Sequence, residues 1–369
     1  VFINRHLKLF FLFIVALIFL TGLLMIFSTT SAEILDYDLE KSVYSGVLKQ
    51  FFFGCIGVIV AFFLSRLSFE KLLSYSPLLF LIVTFSLLIT LIPGIGKVVN
   101  GSRRWIVILG VSWQPSEFAK YIVPLFLCYL LKKYDFQEMK TFLKCGALLS
   151  FPIFLVLIEP NNGTAIVMVI SLVVLFFLSG VPFKFFALPL LVASFLGGIL
   201  AMQLPYVRSR IAVYYHPELD LKGRGHQPYQ AKIAAGSGQL FGKGPGNSLQ
   251  KLSYLPEAQN DYIGAIFAEE FGFLGVFFLI LLYCFLTVLM FLIAIQSESL
   301  YHFYFASVVT FLIGFQAFLN LGVVSGLLPS TGLNLPFFSQ GGSSLIAHMS
   351  ALGVLFGFKV KERGFESTI

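Results

Sequence analysis

Charge is what this 369-residue chain has least of: Asp, Glu, Lys and Arg together make 12% of it. A soluble protein carries about twice that fraction. Hydrophobic residues make 58% of the chain, and mean hydropathy is +0.90. A water-soluble globular fold is excluded. The chain reads as a polytopic membrane protein, in which an apolar run of about 18 residues can span the bilayer as a helix. The net charge of +7 is therefore to be read by position and is no signal for nucleic acid. The 44 Phe suit a lipid-facing surface, because Phe inserts favourably at bilayer depth.

Reactive groups at recognisable spacing are also scarce. Cys55, Cys128, Cys145 and Cys284 lie in or at the edge of apolar runs, without metal-ligand spacing, so no disulfide framework is implied. His6, His216, His226, His302 and His348 show no HExxH or other paired spacing, and structural roles are expected for all five. Gly242-Lys-Gly-Pro-Gly-Asn247 lacks the Gly-Lys-Ser/Thr ending of a phosphate loop and follows no strand, which argues against a nucleotide site. Neither Gly236-Ser-Gly238 nor the Ser-containing stretch ending at Ser344 offers a Ser nucleophile with a His partner, so serine hydrolysis is rejected. No internal repeat supports an inverted-repeat transporter.

What the chain does have is ten apolar spans, near residues 9–28, 46–64, 72–93, 114–131, 143–158, 163–180, 185–204, 262–294, 303–327 and 342–358. The expected fold is an all-α polytopic membrane protein forming a single domain over 1–369. One large extracytoplasmic loop, 205–260, separates helices 7 and 8. The first span is too long for a signal h-region and reads as a retained anchor. The eighth is long enough that it should tilt or protrude. Lys and Arg set the orientation. With the N-terminus inside, the short inner segments hold Arg5, Lys8, Arg66, Lys71, Lys132, Lys133, Lys140, Lys144, Lys184, Lys359, Lys361 and Arg363. The short outer ones hold only Lys41, Lys49, Lys97, Arg103 and Arg104. Both termini are then cytoplasmic.

Charges near membrane depth are costly and mark candidate sites. Four outer clusters stand out. In the first, Arg103 and Arg104 precede Gln114-Pro-Ser-Glu-Phe-Ala-Lys120. Pro115 suits the first turn of the fourth helix, and Glu117 and Lys120 share one face of it. The two either lock helices together as an internal ion pair or wall an outward cavity, with the arginines offering phosphate-binding forks. The second is Glu159-Pro-Asn-Asn-Gly-Thr164, a tight turn whose single charge could face that cavity. The third is the long loop, with Arg208, Arg210, Lys222, Arg224, Lys232, Lys243 and Lys251 against Glu218, Asp220 and Glu257. It attracts either an anionic substrate or anionic lipid headgroups. Residues 228–235 can form a short surface helix there. The loop ends at Asp261, which either caps the next helix or acts as a base. The fourth is the Pro- and Gly-rich stretch 326–344, a broken turn of the kind tolerated where backbone lines a cavity.

These motifs, in this order, resemble the FtsW/RodA/SpoVE family, the shape, elongation, division and sporulation proteins. The resemblance covers essentially the whole chain. It rests on Asn100-Gly-Ser-Arg-Arg-Trp105, Gln114 to Lys120, Pro160-Asn-Asn-Gly-Thr164, Leu255-Pro-Glu-Ala-Gln-Asn-Asp-Tyr-Ile263, Ala268-Glu-Glu-Phe-Gly-Phe-Leu-Gly275 and Leu327 to Ser344. It implies a ten-helix bacterial inner-membrane peptidoglycan glycosyltransferase that polymerises lipid II on the extracytoplasmic face. The implied partners are a class B penicillin-binding protein and other divisome membrane proteins, with no nucleic acid. The stretches 94–101 and 246–256 resemble the division branch more than the elongation branch. A RodA-type elongation polymerase and a lipid II flippase are the alternatives. By that resemblance Asp261 is the general base of an inverting transfer. Arg103, Arg104, Lys120 and Lys243 are candidates for the pyrophosphate, Glu117 for pairing with Lys120 or a cation, and Glu257 for raising the Asp261 pKa. A divalent cation, magnesium or manganese, stays open, with no ligand set identified. Two departures from the family pattern are Gln259-Asn260 in place of His-Thr, and Asn161 in place of Asp in the turn after Pro160. If that carboxylate helps bind a cation, Glu159 is the acid left to replace it.

Overall fold

A computed structural model of the chain describes residues 2–37, 42–99, 102–108, 110–203, 208, 212–216, 220, 223, 225–252, 255, 258–297 and 299–357. Its helices follow the apolar runs. In chain order they are α1 (Phe2–Tyr37), α2 (Ser45–Arg66), α3 (Phe69–Leu91), α4 (Pro115–Lys133), α5 (Met139–Ile158), α6 (Asn162–Leu178), α7 (Phe183–Gln203), α8 (His226–Ser237), α9 (Ile263–Ile295), α10 (Leu300–Val324) and α11 (Gly342–Phe356). All but α8 correspond to the expected spans. Among the described residues, six are long and apolar enough to cross a membrane, judged by length and composition. The apolar α6 and α11 are shorter, and α4 carries Glu117, Lys120, Lys132 and Lys133 within its 19 residues. The chain is a multi-pass membrane protein.

Burial sorts the helices. In α10, 67% of the most apolar stretch is buried, against 17% in α2, so α10 is central and α2 peripheral. The central α4 buries its charged first turns along with its apolar ones. Where α2 meets α11 the backbones nearly touch: a Cβ on Gly353 would lie 2.5 Å from Ala61 Cα. Small residues allow this approach, and between lipid-solvated helices close packing is the main source of adhesion.

The sequence did not signal a small antiparallel sheet between α3 and α4. Its strands are β1 (Gly96–Val99), β2 (Ser102–Ile108) and β3 (Val111–Trp113), in the order β1-β2-β3. It lids one end of the bundle.

The length of the eighth span predicts that it tilts or protrudes. In the structure α9 breaks at Gly272 (φ 67°, ψ −167°), which divides that length in two. The carbonyls freed at Glu269 and Glu270 accept the N–H groups of Lys243 and Gly244, both at 3.0 Å. The N–H groups of Phe273 and Leu274 donate to the carbonyls of Gln239 and Leu240, at 2.8 and 3.2 Å. These four backbone groups at the break are thus paired again by the loop, as membrane depth demands. The turn fits only because both sides are glycine: a Cβ on Gly272 would lie 2.3 Å from Gly242 N. The 23 residues beyond the break rise about 34 Å at 1.5 Å each, enough to cross without strong tilt. The expected surface helix in the long loop is α8, which buries Ala231 and Ala234 and packs on α9 and α10.

Candidate functional site

Helix direction alternates along the bundle. The starts of α2, α4, α6, α9 and α11 therefore share one end with the finishes of α3, α5 and α10. At that end lies a cavity of about 1290 Å³. It is larger than the roughly 300–1,000 Å³ of an ordinary small-molecule site. Arg104 and Trp105 of β2, Glu117 of α4, Lys232 of α8, Gln259 to Tyr262, and the α10–α11 connection all line it.

Asp261 sits half-buried on this wall, one residue before the helix cap. The cap of α9 is Tyr262, and it makes no side-chain cap bond. The position is fixed by backbone. The Asn320 side-chain amide donates to the Asp261 and Leu333 carbonyls, both at 2.8 Å, and Gln340 N–H donates to the Gln259 carbonyl at 2.9 Å. Gly332 (φ 68°) is a neighbour of the carboxylate: a Cβ there would be in ordinary contact, 3.6 Å, with Asp261 Oδ2. The connection 325–341 that frames Asp261 has no regular structure of its own. It is pinned by side chains from the helices around it. Gln50 donates to the Ser339 carbonyl (3.1 Å), Tyr283 to the Pro336 carbonyl (2.6 Å) and Gln316 to the Asn334 carbonyl (2.8 Å). Irregular backbone at this depth survives by such satisfaction. Gln259 and Asn260 both face the cavity.

The two arginines separate by strand parity. Arg104 reaches the cavity and Arg103 is not on its wall. Arg104 also grips the α5–α6 turn, donating from Nε to the Glu159 carbonyl (3.1 Å) and from Nη2 to the Pro160 carbonyl (2.5 Å). Glu117 lines the cavity, while Lys120 lies beneath it at 1% exposure. Lys120 Nζ is 2.8 Å from Glu117 Oε2 and donates to Gln316 Oε1 at 2.9 Å. The internal ion pair and the charged wall are thus one feature, and Lys120 is out of reach of a ligand.

Two other sequence candidates fall elsewhere. Glu159 turns into the protein and accepts the Thr90 hydroxyl proton; it does not line the cavity. It lies in the turn outside the spanning helices. Burial pushes its carboxyl up to about 8, against the opposing pull of Thr90 and Arg104. Asn161 donates to Ser116 Oγ at 3.2 Å. Lys243 is paired with Glu269 at 2.6 Å, within the turn that fills the α9 break, and takes no part in the cavity. Glu257 lies outside the described residues. No three His, Cys, Asp or Glu converge on a metal geometry among the described residues.

Sequence reasoning missed two features. Glu269 and Glu270 are buried anchors for the long loop. Glu269 accepts from Ser237, Lys243 and Ser248 side chains and from the N–H groups of Leu249 and Gln250. Glu270 bonds Lys251 (3.0 Å) and Ser28 of α1 (2.8 Å). Two acids inside an apolar run were the available signal. The second feature corrects the reading that no Ser has a His partner. Ser344 on the cavity wall lies 3.1 Å from His348 Nε2, and Tyr121 OH lies 2.6 Å from His348 Nδ1. Spacing of four on a helix was the clue. The third member is a tyrosine and not a carboxylate, so this is no hydrolase triad.

The FtsW/RodA/SpoVE model, described as a cell cycle protein family, matches residues 8–364. The chain belongs to this family. It is 38% identical over 353 residues to the probable peptidoglycan glycosyltransferase FtsW of Saccharophagus degradans, covering 93% of this chain and 89% of the relative. It is 39% identical over 352 residues to the stage V sporulation protein E of Bacillus subtilis, covering 93% and 94%. Among solved structures it resembles a chain of a complex described as structural coordination of polymerization and crosslinking by a peptidoglycan synthase complex. There the TM-score is 0.76 and the identity 28%, over 94% of this chain and 95% of that one. The rod shape-determining protein RodA of Thermus thermophilus gives a TM-score of 0.67 at 28% identity, over 94% of each chain. For a member of the FtsW/RodA/SpoVE family the cavity at the polar end of the bundle, with Asp261 in its wall, is the candidate active site.

Proposed function

We propose that this chain is a peptidoglycan glycosyltransferase that polymerises lipid II into glycan strands, in the manner its FtsW-named relatives suggest for cell division. The observation that carries the reading is Asp261. It is a half-buried carboxylate on the wall of a large, cation-bearing cavity, in a segment braced by Asn320 and Gln340. Polymerisation needs a sugar hydroxyl to attack the anomeric carbon of a lipid-linked sugar. The new C–O bond forms as the bond to the diphosphate breaks, and the diphosphate leaves with the electron pair. Asp261 takes the hydroxyl proton. One base and a good leaving group give a single displacement with inversion, so a second carboxylate in the retaining geometry is not required. Arg104, held by the α5–α6 turn, faces the growing negative charge at fixed position, which avoids reorganisation during the step. Glu117 keeps Lys120 paired and so sets the charge of the floor. Arg103, Lys120, Lys243 and Glu159 act at a distance from the ligand, through packing.

We read the chain as one membrane domain in the bacterial inner membrane, with cytoplasmic termini and an extracytoplasmic cavity, on the basis of the Lys and Arg distribution. A class B penicillin-binding protein is the proposed partner, supported by the likeness to a chain from a complex that couples polymerization to crosslinking. Transport of lipid II across the membrane is the competing reading. The gathering of polar wall residues at one end of the bundle favours chemistry over passage. Purified chain, with and without a co-expressed class B partner, is given labelled lipid II, and products are resolved by length on a gel. Ladders are expected. Their absence in both conditions, with labelled lipid II moving between leaflets of proteoliposomes, would replace polymerisation with transport.

A further inference from the structure

The chain of hydrogen bonds from Ser344 through His348 to Tyr121 has no task in the account so far. It runs inward from the cavity wall. Ser344, in the first turn of α11, lines the cavity at 7% exposure. His348, one turn further along α11, is fully buried, and Tyr121 of α4 is buried behind it. His348 Nε2 is 3.1 Å from Ser344 Oγ, and His348 Nδ1 is 2.6 Å from the Tyr121 hydroxyl. Phe337 packs on the imidazole, with ring centroids 5.5 Å apart.

Proton counting gives this chain a direction. A neutral imidazole has one N–H and one acceptor nitrogen. Among the described residues, the Tyr121 hydroxyl has no acceptor besides His348 Nδ1. A buried donor left unmade is costly, so Tyr121 O–H donates to Nδ1. The imidazole proton then sits on Nε2 and donates to Ser344 Oγ. With Nε2 donating, His348 cannot also take the Ser344 proton. A serine in a helix often sends that proton to the carbonyl one turn earlier, as Ser350 does to Ile346 at 2.7 Å. Ser344 makes no such bond among the described residues; the Gln340 carbonyl accepts from the Asn334 amide at 3.0 Å. The Ser344 O–H is left to donate into the cavity that Ser344 lines.

Its surroundings indicate what it meets. Asn334, Gln340, Gly341, Gly342 and Ser343, on the same wall, carry no charge. Ser343 is engaged within the protein, accepting from Gln114 N–H at 3.0 Å and donating to the Ser112 carbonyl at 3.3 Å. Gln340, one turn before Ser344, holds the Gln259 carbonyl two residues from Asp261. A neutral donor on a neutral wall near the base fits an uncharged oxygen, the amide carbonyl or a hydroxyl of a sugar. We infer that Ser344 is a specificity-determining donor to an uncharged oxygen of the bound sugar, and that His348 and Tyr121 are the positioning residues that fix its direction. The inference rests on the polymerisation reading, which supplies the sugar.

The direction is read without substrate, by nitrogen NMR of the full chain in proteoliposomes with isotope-labelled histidine. Loss of signal in His348→Gln assigns His348. The wild type should show the Nε2–H tautomer, and Tyr121→Phe should admit the other. The Nδ1–H tautomer in the wild type overturns the inference, as does a tautomer indifferent to Tyr121→Phe. The contact is read with labelled lipid II. Ser344→Ala should raise KM about two- to tenfold, the size of one neutral hydrogen bond, with kcat unchanged. Ser344→Thr, which keeps the hydroxyl, should restore KM. Tyr121→Phe added to Ser344→Ala should raise KM no further, because the two act through one bond; independent structural losses would add. An unchanged KM in Ser344→Ala overturns the inference, and so does an additive double variant. Farnesyl diphosphate has no sugar, so its binding should not respond to Ser344→Ala; a loss equal to that for lipid II would move the contact to the diphosphate and overturn the sugar assignment. The two readings fail separately. Ladders with unchanged KM in Ser344→Ala sink only the donor. Lipid II that binds Asp261→Asn and is weakened by adding Ser344→Ala, without ladders from the wild type, sinks the polymerase and leaves the donor.

Discussion

Lys243 looks like a phosphate ligand in the sequence and like a structural strut in the fold, and its substitution separates the two. Its ammonium sits 2.6 Å from Glu269, a carboxylate with no exposed surface that accepts four further hydrogen bonds. Lys243→Met removes one charged hydrogen bond from an acid that keeps its other donors, and should lower stability by about 1.5–3 kcal/mol. Glu269→Ala is worse. It strands Lys243 and the amides of Leu249 and Gln250, and breaking a buried pair in this way is worth about 3–5 kcal/mol. The double variant should show a coupling of about 1–3 kcal/mol, as contacting pairs do. Reversible unfolding in mixed micelles, followed by circular dichroism, gives the stabilities, and lipid II titrations give kcat and KM for the folded fraction. The strut account expects Lys243→Met to lose stability with KM unchanged. A variant of wild-type stability whose KM has risen tenfold would refute it and return Lys243 to the substrate.

Other outcomes follow from the same geometry. Glu159 carries a raised pKa of about 8 in the fold, so the folded chain holds a proton that the unfolded chain releases near its ordinary 4.5. Its contribution to stability is then full below about pH 4.5 and is lost as pH rises towards 8. Glu159→Gln should flatten that part of the stability-against-pH curve, and an unchanged slope would contradict the assignment. Gly272→Ala forces a side chain into a left-handed position 2.3 Å from Gly242 N. It should cost more than about 1 kcal/mol and open the long loop to protease; a variant as stable and as resistant as wild type would argue against the break.

Much of the architecture was legible because the bilayer imposes it. Apolar length located ten spans, Pro115 marked the start of α4, and the 228–235 stretch announced α8. The spacing of Glu117 and Lys120 predicted their contact, since three residues place two side chains on one helix face. What escaped depended on register or on distant partners. Arg103 and Arg104 look equivalent until a strand assigns them opposite faces. The break at Gly272 needs the glycine of a loop about thirty residues earlier, Gly242, and nothing local announces that encounter. Glu159 looks like a cavity acid in the sequence because its partner, Thr90, lies about seventy residues earlier, at the end of another apolar helix.

Asp261 as the base is the centre of the account, and Asp261→Asn tests it most directly. The amide keeps the shape, and the segment is held by backbone bonds that the substitution leaves alone. The measurement is polymerisation of labelled lipid II by this variant beside wild type, with farnesyl diphosphate binding measured on the same preparations. The account predicts ladders from wild type only, with equal binding by both. Ladders of wild-type length and rate from Asp261→Asn would contradict it.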